Sequence, residues 1–165
     1  MTFENIILVA GGTFSGLLAG LMYAFNVAVV PALRSMKPRE HIIAMQEINV
    51  KIINPVFMLS FLGPTFLLPL AAYLNRDSAQ FLWIVGAAVL HIVGADGVTG
   101  VGNVPLNDKL AKVDVDQLTD EQAEQIRLDY QGHGSAWMRY HNVRTLASIA
   151  ATLFVFIACL VKSIE

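Results

Sequence analysis

The residues able to do acid–base or ionic chemistry in this chain are few, and most of them sit beside long apolar runs. The stretch "HIVGADGVTGVGNVPLND" (91–108) holds His91, Asp96, Asn103 and Asn107 among glycines, and "WMRYHNVRTLAS" (137–148) holds Trp137, His141, Asn142 and Arg144. Asn26 and Asn49 lie at comparable boundaries earlier in the chain. A charge inside a bilayer costs roughly 2.5–3.5 kcal/mol on insertion scales, so such a group is expected to face a partner or a cavity. A base (His141, Asp96 or His91) beside a cation such as Arg144 is what proton abstraction needs if the oxyanion left behind is to be stabilised. Arg144 is also the natural ion-pair partner for Asp96. His91, five residues before Asp96, points about 140° away from it on an ideal α-helix.

The elements that must position these groups follow from where charge is missing. Asp, Glu, Lys and Arg are absent from 5–33, 52–75, 78–95 and 145–161. The chain is 55% hydrophobic and 15% charged, with a mean hydropathy of +0.57. A membrane-crossing helix needs roughly 17–25 apolar residues, which each run supplies. A soluble bundle would show a polar face on each helix, and these runs have none. The expected fold is therefore all-α, an up-down bundle of four transmembrane helices in one integral membrane domain over 1–165. The spans fall at about 5–33, 52–75, 78–103 and 137–162, with connections at 34–51 and 104–136. The first run lacks a basic leading segment and exceeds the length of a signal-peptide core, so it reads as a span rather than a cleaved signal.

Up-down topology puts the 34–51 and 104–136 connections on one face. Nine of the 11 Lys and Arg residues lie on that face, against Arg76 and Lys162 on the other. The positive-inside rule then places the long connections in the cytoplasm and both termini outside, most naturally across a bacterial inner membrane. Within the longer connection, "TDEQAEQIRLDY" (119–130) carries a capping box, Thr119 with Gln122, for a short amphipathic helix, and Ser135 is placed to cap the last span. Alternation also brings one polar end of every span to the same level: Asn26, Gln46, Asn49 and Asn54, then Asp96, Thr99, Asn103 and Asn107, then His141 and Arg144. That layer is a candidate ligand site at the mouth of the bundle. Gly12, Gly16 and Gly20 form a small-residue face for helix packing, and Pro105 is expected to end or kink the third span.

Four segments, "FNVAVVPAL" (25–33), "MQEIN" (45–49), "GVTGVGNVPLN" (97–107) and "WMRYHNVRTLAS" (137–148), resemble the anthrone oxygenase-like family of small four-helix membrane proteins. The resemblance runs in order over nearly the whole chain. It implies a membrane oxygenase that converts lipophilic aromatic (anthrone- or quinol-like) substrates to quinones with molecular oxygen and no cofactor. It also implies that Asn103, Asn107, Trp137 and Arg144 occupy signature positions. Two positions depart from the family's usual residues: His141 stands where Asn is usual, and Asn26 where Ser is usual.

Two other readings compete. One is a non-enzymatic membrane subunit or small-molecule-binding accessory protein, either a homo-oligomer or part of a larger complex. The other is a metal or haem protein. The four histidines at 41, 91, 133 and 141 form no HxxxH, ExxH or CxxCH pattern, so no metal is expected; a haem between His91 and His141 is the one arrangement left open. Cys159 is the only cysteine, and no basic patch with interleaved aromatics suggests nucleic acid. The expected partners are the bilayer and a lipophilic aromatic small molecule.

Overall fold

A computed structural model describes residues 2–162. Four helices are long and apolar enough to cross a membrane: α1 (Phe3–Arg34), α3 (Pro55–Leu74), α4 (Phe81–Ala111) and α6 (Ala136–Lys162). Two more, α2 (Pro38–Lys51) and α5 (Asp120–Gln131), lie in the connections. The chain is an integral, multi-pass membrane protein. Its spans pack in a ring, α1 on α3, α3 on α4, α4 on α6 and α6 on α1, with no strand among the described residues. The apolar side chains left outside, such as Val56, Phe66, Leu82, Val101 and Leu146, form the surface that lipid would solvate.

Two of the spans are not α-helical throughout. α1 has a π-helical turn at Phe25–Val29, and α4 has π-helical stretches at Leu90–Gly97 and Thr99–Asn103. Pro31 and Pro105 each come directly after such a turn, in the first turn of renewed α-helix. A proline lacks the N–H for the ladder and its ring crowds the carbonyl four residues earlier. A wider turn relieves that crowding. Pro105 therefore neither ends nor breaks α4, which runs on to Ala111, beyond the boundary expected near 103.

Close approach between α4 and α6 explains two of the glycines. A Cβ on Gly94 would sit 2.5 Å from the Ala147 Cβ, and one on Gly102 would meet the Tyr140 ring at 2.5–2.7 Å. These glycines admit a neighbouring helix rather than a ligand. In α1, Gly12 and Gly16 face α6 at Val155 and Thr152, whereas nothing approaches Gly20.

The connections form a second layer closing one end of the bundle, which we term the loop end. Its core joins Ile42 and Met45 of α2 to Leu110 of α4, Ala123 and Tyr130 of α5, and Trp137 of α6. The Thr119–Gln122 capping box is present in both directions (3.2 and 2.8 Å), and Ser135 Oγ accepts from the Met138 amide at 3.3 Å. Long polar side chains tie this layer down. Arg34 donates to the Gln131 carbonyl at 2.9 and 2.6 Å, and Gln46 donates to the carbonyls of Leu110 and Val113 at the end of α4. Asn54 caps α3 by accepting from the Phe57 amide at 3.0 Å. Gln46 and Asn54 thus serve helix ends.

His41, fully buried in this layer, donates from Nδ1 to the Leu33 carbonyl at 3.0 Å. Burial pushes its pKa below the ordinary 6.5; the Leu33 hydrogen bond opposes the shift, and the Arg127 and Arg34 cations reinforce it. Unfolded His41 takes up a proton near its ordinary value, while the folded form resists it. Stability is therefore full above about pH 6.5 and declines as pH falls below it, by up to about 1.4 kcal/mol per pH unit. Melting in detergent should fall between pH 7.5 and 5.5, and His41→Gln should flatten that slope. An unchanged slope in the variant would assign the effect elsewhere.

Candidate functional site

A cavity of about 300 Å³ lies where the spans meet the loop-end layer. Such a volume falls at the lower end of small-molecule sites. Its walls are mostly apolar and aromatic: Met22 and Phe25 from α1, Met45 and Ile48 from α2, Phe57 and Phe61 from α3, and Trp137 from α6. Phe57 and Phe61 stack at 5.4 Å between centroids. The π-helical turn at Phe25–Val29 begins at the residue whose ring enters this wall.

Four polar side chains reach the lining: Asn49, Thr99, Asn107 and Arg144. Asn107 Oδ1 accepts from Trp137 Nε1 at 2.8 Å and from the Tyr130 hydroxyl at 2.6 Å, which fixes both rings at the wall. Asn49 reaches the same hydroxyl at 3.4 Å. Asn103 is fully buried behind the lining; its Nδ2 donates to the Trp137 carbonyl at 3.1 Å, and its Oδ1 has no partner. Asn26 turns away and donates to Asn142 at 3.0 Å in a partly exposed pair. Of the sequence-selected ligand residues, Asn49, Asn107 and Trp137 therefore touch the cavity, Asn103 braces its wall, and Asn26 lies outside it.

Among the described residues Arg144 is the only lining side chain with a full charge. Its Nε and Nη2 donate to His141 Nδ1 at 3.2 and 3.1 Å, its Nη1 donates to Thr99 Oγ1 at 3.3 Å, and its guanidinium lies 5.6 Å from the Trp137 ring centre. His141 is fully buried behind it. Its ring stacks on Trp137 at 4.9 Å and meets Phe25 edge-on at 5.6 Å. Because Nδ1 accepts from a guanidinium, it must carry the lone pair, so the imidazole is neutral with its proton on Nε2.

The expected Asp96–Arg144 ion pair does not form. Among the described residues no carboxylate lies within ion-pair distance of Arg144. Asp96 instead accepts from the Thr65 hydroxyl on α3 and faces His91, whose Nε2 lies 3.6 Å from Oδ1 and 3.0 Å from the Phe61 carbonyl. The π-helical stretch Leu90–Gly97 is the reason. Bonding from i to i+5 brings residue 96 round towards residue 91, which an α-helix would hold about 140° away. The sequence candidates thus divide into two groups: Arg144 with His141 at the cavity, and Asp96 with His91 and Thr65 one turn deeper. Thr65 and Tyr130 were not singled out from sequence. A lone threonine in an apolar run carries no signal, whereas Tyr130, four residues after Ile126 on the capped amphipathic helix, could have been found by its periodicity. Among the described residues no three His, Cys, Asp or Glu side chains group as a metal site would.

No curated protein and no solved structure matches the chain. A family model described as anthrone oxygenase matches residues 57–154, more than half of the sequence, from the cavity residue Phe57 through Asn107, Trp137 and Arg144. The chain belongs to the anthrone oxygenase family.

Proposed function

We propose that the cavity binds a flat, lipophilic aromatic molecule of the anthrone or quinol type and that the protein oxidises it with molecular oxygen. The observation that carries this reading is Arg144, a cation without a carboxylate partner among the described residues, set in a mostly apolar, aromatic wall. A half-buried guanidinium held, among the described residues, by a neutral imidazole, a hydroxyl and a ring face is poised for an anion that the ligand supplies. An enolate or phenolate oxygen is such an anion, and Arg144 would stabilise it as charge develops.

The reaction balances without another oxidant. Loss of a proton from the anthrone system gives an electron-rich enolate, which adds dioxygen at the ring carbon opposite the oxygen. The resulting peroxide anion takes up a proton, and the hydroperoxide then loses the hydrogen left on that carbon together with hydroxide, as water, leaving a carbonyl. One oxygen atom enters the quinone and the other leaves as water. Nine of the 11 Lys and Arg residues flank the loop end, so our reading places that end, and the cavity, at the cytoplasmic leaflet with both termini outside.

Purified protein in detergent or vesicles should consume one O2 per anthrone oxidised, and 18O2 should leave a single label in the quinone. Quinone formation no faster than in protein-free vesicles would overturn the oxygenase reading. Retention of the ligand without turnover would leave a binding protein in its place.

A further inference from the structure

We infer that the site takes its substrate as a hydroxyarene and removes the proton from oxygen, at the atom Arg144 holds, rather than from carbon. The inference rests on the proposed oxidation of an aromatic in this cavity and specifies which form of that aromatic is bound.

The spacing of acceptor and cation decides between the two forms. In a keto substrate such as anthrone, the carbonyl oxygen and the acidic CH2 lie on opposite sides of the central ring. A site built for C–H removal needs its cation and its base a whole ring apart. Here Arg144 and the lone pair of His141 Nδ1 are one hydrogen bond apart, at 3.1–3.2 Å. Among the described residues no carboxylate, histidine or lysine side chain lines the rest of the cavity to take a proton from the keto form's carbon. The other polar lining groups are Asn49, Thr99 and Asn107. Asp96 and His91 lie outside the lining, with Asp96 Oδ2 accepting from Thr65 and His91 Nε2 donating to the Phe61 carbonyl.

An O–H acid matches this arrangement. A hydroxyl oxygen entering between the two side chains accepts from Arg144 and donates its hydrogen to Nδ1, replacing the direct Arg144–His141 contact. Proton transfer breaks the O–H bond and makes an N–H bond. The electron pair stays on oxygen and spreads into the ring, and the anion then sits between a guanidinium and an imidazolium. For anthrone the bound form is the enol tautomer, whose deprotonation gives the same enolate. The peroxide formed at the opposite ring carbon takes its proton from water. The hydrogen left on that carbon departs with hydroxide as water, and the Nδ1 proton passes to the hydroxide that the first transfer left, so His141 ends as it began. In this scheme His141 is a catalytic residue, and Arg144 masks its lone pair until an oxygen arrives.

A hydroxyarene that cannot be oxidised tests the idea apart from turnover. 2-Hydroxyanthraquinone is yellow as the acid and red as the anion. Titrated into the detergent-solubilised protein below the ligand's own ionisation, it should bind with the absorption of the anion. Anthraquinone, without the hydroxyl, should bind at least tenfold more weakly. Arg144→Gln should abolish the anion band, Arg144→Lys should restore part of it, and His141→Asn should leave binding but lose the band, each variant being checked for monodispersity. Binding of the neutral yellow form by the native protein overturns the inference while leaving the cavity a ligand site. Anthrone consumption by the protein faster than free anthrone enolises under the same conditions also overturns it while leaving the oxygenase reading intact. Binding of neither quinone removes both readings.

Discussion

Arg144→Gln is expected to lower kcat for anthrone oxidation by about 100- to 1,000-fold, the loss typical of removing a preorganised donor to a developing oxyanion. The rate should fall more than KM rises, because the neutral aromatic walls still bind the ring system and the lost contact strengthens only as charge forms. Oxygen uptake across a substrate series separates the two parameters. The fold should survive, since Arg144 closes no carboxylate pair and its partners are the His141 imidazole and the Thr99 hydroxyl. A change confined to KM would assign Arg144 to ground-state binding and remove it from the chemistry.

Trp137→Ala should be the most damaging single truncation for stability, costing about 3–5 kcal/mol. Trp137 is 2% exposed and lies where the spans meet the loop-end layer. It stacks on His141, meets Phe25 and Tyr130, lies beneath the Arg144 guanidinium and donates to Asn107. Its loss would enlarge the cavity and leave His141 and Arg144 without their platform. Melting in detergent should drop by many degrees, and Trp137→Phe, which keeps a ring but not the Nε1 donor, should recover most of the loss. Equal destabilisation by both substitutions would shift the weight from the ring to the Asn107 hydrogen bond.

The apolar runs and the capping box were legible because each rests on local composition: charge-free stretches for the spans, Thr119 with Gln122 for α5. The convergence of polar residues at one end was also legible, since alternation of the spans forces it. What could not be read was the partner of each polar group. The Asp96–Arg144 expectation assumed uninterrupted α-helical phase, and the π-helical stretch Leu90–Gly97 changes that phase within six residues, so that Asp96 meets His91. Asn54 and Gln46 looked like members of the polar layer because sequence shows their level but not that free helix ends compete for their hydrogen bonds. Asn26 shared the level and differed in azimuth, which the π-helical turn at Phe25–Val29 resets. The α2 helix went unread within a connection, its charged residues hiding the buried Ile42 and Met45.

Those wide turns also bear on how the protein tolerates insertion and deletion. Each accommodates one more residue than an α-helical turn, so removing a single residue from Thr99–Asn103 would let the helix close to regular pitch. Everything before the turn would keep its place against α3 and α6. The residues after it would also keep their azimuth, because the deletion removes the residue that the wide turn absorbs. Closing the turn without a deletion would instead rotate them by about 100°, carrying Asn107 off Trp137 and Leu110 out of the loop-end core. The same holds for α1, where Val30 and Leu33 follow Phe25–Val29. The membrane half and the loop-end half of each helix are thus indexed separately. A one-residue deletion at either turn would therefore be absorbed, whereas one made in the regular α-helix beside it would rotate the loop-end half by about 100° and re-aim one end of the cavity.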